Sequence, residues 1–162
     1  MTELEQLLNF RKSVGHPGHD MILAILTAAR KLIVTGDRLV REYGLTDRQL
    51  NLLMLLRHQA PEGATQVELG TMMCVGKASM TGLVDRLERD GLVERCRLSH
   101  DRRAHLVRLT LNGRKALAAV EKPYFRALDH TLAGISAADR QKAIRVLVDI
   151  CRSLDNEKGG RK

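Results

Sequence analysis

The chain has 162 residues, a net charge of +8 and a pI near 9.9, with 44% apolar and 2% aromatic residues. That length suits one domain with a real core, since about 150 residues hide roughly 70% of their unfolded surface, and the apolar share excludes a disordered chain. The aromatics are Phe10, Tyr43, Tyr124 and Phe125, with no Trp; the core is therefore expected to be Leu, Val, Ile, Met and Ala, which favours helices over a β-sandwich and argues against stacking platforms for single-stranded nucleic acid.

Residues Met1 to Gly18 read as a short arm and a turn broken at Gly15, Pro17 and Gly18. From about His19 to Tyr43, apolar residues recur every three or four positions (Ile22, Ile25, Leu26, Ala29, Leu32, Ile33, Leu39, Val40), which predicts a long helix ending at Gly44. Thr46 with Gln49 forms a capping box that opens a second helix carrying Leu52, Leu53 and Leu56, ended by Pro61 and Gly63. Thr65 with Glu68 opens a short third helix containing Val67, Leu69, Met72 and Met73. After a break at Cys74–Val75–Gly76, Met80, Leu83, Val84 and Leu87 mark the buried stripe of a fourth helix, stopped by Gly91.

Leu92 to Arg97 and His105 to Leu109 read as a β-hairpin. Thr110 is placed to cap a long helix that Pro123 should kink or interrupt. Ser136 with Asp139 caps a last helix using Ile144, Leu147, Val148, Cys151 and Leu154, and 156–162 form a loose basic tail. The fold class expected is mainly α with a small β-hairpin wing: a winged helix-turn-helix plus a helical dimerisation region.

The charge sits where such a fold would use it. Between Gly76 and Lys115 there are ten basic and five acidic residues, so 10 − 5 = +5 of the +8 falls in a quarter of the chain. A helix fits the major groove when its exposed face is small or polar. Opposite the buried stripe lie Ala78, Gly82, Asp85 and Arg89, flanked by Ser79, Thr81 and Arg86, with Lys77 in the first turn. The hairpin tip Ser99-His100-Asp101-Arg102-Arg103 puts two arginines where a minor groove concentrates negative potential. Asp101 makes sense there as a clamp on an arginine.

The run LGTMMCVGKASMTGLVDRLERDGLVERCRLSHDRRAHLVRLT, Leu69 to Thr110, resembles the MarR family of bacterial transcription regulators. The matching positions are Thr81, Leu83 to Glu88, Gly91 to Val93 and Arg95, then Asp101, Arg103, Val107, Leu109 and Thr110. The resemblance implies a single MarR-like domain over 1–162, with the winged helix-turn-helix at 46–110 and the dimerisation helices at 1–45 and 110–155. It implies a homodimer on a pseudo-palindromic operator in double-stranded DNA. The DNA-binding residues it implies are Lys77, Ser79, Thr81, Arg86, Asp101, Arg102 and Arg103, with Arg103 the minor-groove residue. A small phenolic or aromatic carboxylate effector is implied between the dimer helices and the winged domain; Arg30, Lys31 and His58 are candidates for it by position. Two positions depart from the family pattern: Cys74 stands where Gly is usual, and Gly76 where Ser often caps the helix.

Other signals take plainer readings. Cys74, Cys96 and Cys151 are odd in number and widely spaced, so no disulfide framework is expected; Cys74 reads as a buried inert thiol, and Cys96 on the wing strand and Cys151 on a core stripe read as structural. His16 and His19 read as a solvated loop, with no further ligands to complete a metal site. The Met72–Met73 pair reads as core packing. Met21 to Ala29 is far short of the roughly 20 apolar residues that span a bilayer, and Glu3 and Glu5 do not suit a secretory signal, so a cytoplasmic protein is expected. No cofactor, metal or catalytic constellation is read. The expected function is a sequence-specific, ligand-responsive repressor; the alternative is a constitutive or architectural DNA-binding protein without an effector.

Overall fold

A computed structural model describes residues 6, 15–97 and 105–159 of the chain. Its helices are α1 (Pro17–Val40), α2 (Asp47–His58), α3 (Gln66–Met72), α4 (Lys77–Arg89), α5 (Leu111–Thr131) and α6 (Ala137–Gly159). One 3-10 turn, Arg41–Tyr43, follows α1 and ends in Gly44 at φ 70°, a left-handed C-cap. The strands are β1 (Ala64–Thr65), β2 (Val93–Arg97) and β3 (His105–Leu109), in the antiparallel order β1-β3-β2. Val93 pairs with Leu109, Arg95 with Val107 and Arg97 with His105. The sequence reading missed β1, whose two residues pair Ala64 with Val107 and Thr65 with Leu106. Two residues show no periodicity, so only the partner strand reveals them.

The helix starts follow their capping chemistry. Thr46 Oγ1 accepts from Gln49 N at 3.3 Å while Gln49 Oε1 accepts from Thr46 N at 2.8 Å; Thr65 and Glu68 repeat the exchange at α3. Thr110 Oγ1 caps α5 by accepting from Gly113 N at 3.0 Å and donates to Gly91 O at 2.7 Å. Ser136 Oγ accepts from Asp139 N at 3.1 Å and opens α6. His16 corrects the loop reading: it is the N-cap of α1, its Nδ1 accepting from His19 N at 3.2 Å with Pro17 in the first turn. α5 runs through Pro123 without interruption.

The chain divides into two compact units, Met1–Tyr124 and Phe125–Lys162. The first holds the core. Leu50, Leu52, Leu53 and Leu56 of α2, Leu69 of α3, and Met80, Val84 and Leu87 of α4 close on Val93, Val107, Leu117 and Val120. The stripe read for α4 is the one the structure buries. Gly113 sits so close to the chain after α4 that a Cβ would lie 2.0 Å from Leu92 O. Within the first unit, Glu121 of α5 ties to α2 through His58 Nε2 at 2.7 Å and Arg57 Nη1 at 3.4 Å.

The second unit has no buried side chain among its described residues. Ile144, Leu147 and Leu154 of α6 are each about half exposed, at 52%, 45% and 55%. α1 buries only Gly36 and Val40, and leaves Met21, Ile22, Leu26, Leu32, Ile33 and Val34 exposed.

Candidate nucleic-acid interface

Helix α4 is built to be approached. Its inner stripe is sealed in the core, and Gly76 caps it without a side-chain bond. Lys77, Ala78, Ser79, Asp85, Arg86 and Arg89 are exposed, so two cations end the helix and one begins it. Thr81 is half-buried, its hydroxyl 3.1 Å from the Gln66 side chain of α3. Of the wing, the structure describes the two strands; Asp101, Arg102 and Arg103 lie outside the described residues.

The helix is joined to the wing through Arg95 of β2. Its Nη2 donates to Asp85 Oδ1 at 2.5 Å, its Nη1 donates to Glu88 Oε2, and its backbone N donates to Glu88 Oε1 at 3.1 Å. The Gln66 amide satisfies both neighbours with its oxygen toward Arg95, accepting from Nε at 2.9 Å and Nη2 at 2.8 Å, and its nitrogen toward Thr81 Oγ1 at 3.1 Å. Partial burial alone would lower the guanidinium pKa; hydrogen bonding and attraction from Asp85 and Glu88 outweigh it, and the net shift is upward. Arg95 belongs to the quoted motif, but sequence reasoning gave it no role. The available signal was two acids three residues apart on a helix meant for DNA.

Behind α4 lies a cavity of about 370 Å³ between α1, α2 and α4. Ile33, Val75 and Leu83 give it apolar wall, and Asp37, Arg48 and Arg86 give it charge. Ser79 and Arg86, placed by sequence at the DNA-facing side, thus also edge this cavity. Arg30, Lys31 and His58 are not among its lining residues; Arg48 and Arg86 are the cations there. Asp37 Oδ1 accepts from Asp47 N at 2.7 Å, and Asn51 Nδ2 donates to Asp47 Oδ2 at 2.9 Å. Asp47 is buried against Gly36, where a Cβ would lie 2.3 Å from its Oδ1.

The turn before α4 carries its one departure from ordinary backbone among the described residues: Cys74 has φ 52°, the left-handed region. Cys74 therefore holds the backbone conformation that favours Gly. The cysteine readings need correction. Cys74 and Cys151 are exposed rather than buried, because the αL turn points Cys74 outward and the α6 stripe has no cover within its unit. Met72 is likewise exposed, while Met73 packs on the core. Among the described residues no group of three or more His, Cys, Asp or Glu could hold a metal, and no helix is long and apolar enough to cross a membrane.

A model of the MarR family matches residues 45–105. The transcriptional activatory protein BadR of Rhodopseudomonas palustris is 32% identical over 140 residues, 85% of this chain and 78% of that one. The solved transcriptional repressor CouR bound to a 23-mer DNA duplex superposes with a TM-score of 0.75 at 26% identity, over 87% of this chain and 99% of that one. CouR from Rhodococcus jostii RHA1 bound to p-coumaroyl-CoA superposes with a TM-score of 0.70 at 24% identity, over 86% and 94%.

Proposed function

The chain belongs to the MarR family, and from that premise we propose that it represses transcription as a homodimer on a pseudo-palindromic DNA operator, in response to a small ligand. The observation that carries the DNA reading is α4: a buried apolar stripe behind an exposed face of small residues, ended by Lys77 on one side and Arg86 and Arg89 on the other. Lys77, Ser79, Thr81 and Arg86 are assigned to the major groove, and Asp101, Arg102 and Arg103 to the wing contact. Residues 46–110 form the reading unit; 1–45 and 110–155 supply the dimer surface. Its work is binding rather than turnover, in the cytoplasm.

The ligand reading rests on the cavity behind α4. Its volume lies in the range of small-molecule sites, with apolar walls and two arginines suited to an aromatic acid. A ligand that pairs with Arg86 and leans on Leu83 binds one orientation of α4 better than another. That differential affinity is what shifts the regulator between states.

Selection of bound duplexes from a random pool tests the function. Enrichment of a pseudo-palindrome with half-sites about one helical turn apart, roughly 34 Å, is expected. Binding without enrichment would replace it with architectural binding. On the enriched duplex, Arg103→Ala should cost about 1–3 kcal/mol and affinity should fall steeply with salt.

A further inference from the structure

The acids on α4 are the feature that DNA binding leaves unexplained. Asp85 and Glu88 stand on a helix meant to lie among phosphates, and left bare they would repel them. Both are bound by Arg95, all three of whose guanidinium nitrogens are engaged, by Asp85, Glu88 and Gln66. The Arg95 side chain is only 21% exposed, so it has little left to offer a phosphate.

Resting on the DNA-binding reading above, we propose that Arg95 is a positioning residue: it sets the angle of α4 against the wing and so governs sequence discrimination without touching DNA. The inner contacts of α4 are apolar, and apolar burial is non-directional. A helix held by Met80, Leu83, Val84 and Leu87 alone could roll or slide by a fraction of an ångström at little cost. Arg95 removes that freedom. It projects from β2, which is locked to β3 in a five-pair register. Its planar fork takes Asp85 and Glu88 from one face of α4 in charge-assisted bonds of fixed geometry. Its other edge takes the Gln66 oxygen, whose amide nitrogen then donates to Thr81. One guanidinium thus joins the wing strand, the start of α3 and two turns of α4, and it fixes the hydroxyl of a residue assigned to the groove.

The test uses the full chain, the operator from duplex selection and an unrelated duplex, each titrated with protein across salt concentration. Arg95→Lys keeps the charge but not the fork. It should lose roughly 10- to 100-fold on the operator, a coupling of the size expected within one contact network, and change little on the unrelated duplex. The salt slope should stay at its wild-type value, because no phosphate contact is lost. In Arg95→Met with Asp85→Asn and Glu88→Gln, the local charge rises from −1 to 0, yet the operator loss should remain. Gln66→Leu, which leaves the ion pairs intact, should show a smaller loss of the same kind and stands in if Arg95 variants do not fold.

Equal losses on both duplexes, or a slope lowered by about one, would make Arg95 a direct phosphate contact and overturn the proposal. Full operator affinity in the triple variant would reduce Arg95 to a neutraliser and overturn it too. If the wild-type chain enriches no duplex, the DNA reading itself falls; if it does and the variants match it, only the positioning role falls.

Discussion

The winged unit and helix α6 use the same apolar residue types in opposite ways. In the first, Leu50, Leu52, Leu53 and Leu69 have no exposed surface and belong to the core cluster of that unit. In α6, Ile144, Leu147, Val148 and Leu154 recur at helical spacing yet keep 40–55% of their surface. α1 resembles α6 over most of its length and joins the core only at its end, through Val40. An apolar stripe therefore shows that a helix has a partner face, not that the partner lies in the same chain. An open apolar stripe on a highly charged helix is what a subunit surface looks like before assembly.

Truncations on the two sides separate these uses. Leu53→Ala should cost about 2–5 kcal/mol of folding stability, the range for a fully buried leucine, and the loss should not depend on protein concentration. Leu147→Glu should leave the winged unit folded but shift the chain toward monomer, with a melting temperature that no longer rises with concentration. Thermal melts at several concentrations distinguish them. A Leu147→Glu chain that stays dimeric would take α6 out of the interface.

Gly113→Ala sharpens the picture of the winged unit as tightly closed. The added methyl meets the Leu92 carbonyl, which is backbone and cannot swing aside. A loss of about 3 kcal/mol is expected, the upper part of the overpacking range. Denaturant unfolding with an unchanged midpoint would mean the β2 entry shifts freely.

Cys74→Gly should act in the other direction. Relief of the left-handed strain is partly offset by the larger entropy that Gly loses on folding, leaving a gain of about 0.5–1 kcal/mol. A neutral or destabilising result in the same unfolding experiment would show that the thiol's contact with Thr71 O matters more than its backbone.

The smallest effect concerns Asp47, at the start of α2 against Asp37 of α1. Burial first, then the Asp37 carboxylate, raise its pKa against the lowering bond from Asn51. The folded chain thus holds this proton more tightly than the unfolded chain. From this group, stability falls as pH rises from the unfolded value through the raised folded one, and the full penalty is present at neutral pH. Asp47→Asn should raise the melting temperature slightly at pH 7, and the difference should fade as acid protonates Asp47 in both states. A gain that persists in acid would assign the effect to packing.

Much of this was legible in the sequence because it depends on local chemistry. Thr46–Gln49, Thr65–Glu68 and Ser136–Asp139 announce their helices through capping groups three residues apart. The α4 stripe and β3 were read to the residue, since periodicity and turn residues bound them closely. What escaped depends on distant partners. β1 exists only because β3 pairs with it. Cys74, Cys151 and Met72 were read as buried from their types, but exposure is set by what lies opposite. The Arg95 network joins residues from 66 to 95, and no spacing rule links them. Arg48, a cation of the cavity wall, looked like any surface arginine near a helix start.

The open faces of α1 and α6 and the exposed face of α4 meet in one measurable quantity: how many chains sit on one operator. Sedimentation of the purified protein with the selected duplex, at near-physiological salt, reads it directly. Two chains per duplex, with free protein already dimeric at the same concentration, is the expected result. A single chain saturating the duplex would contradict the dimeric reading of both apolar helices.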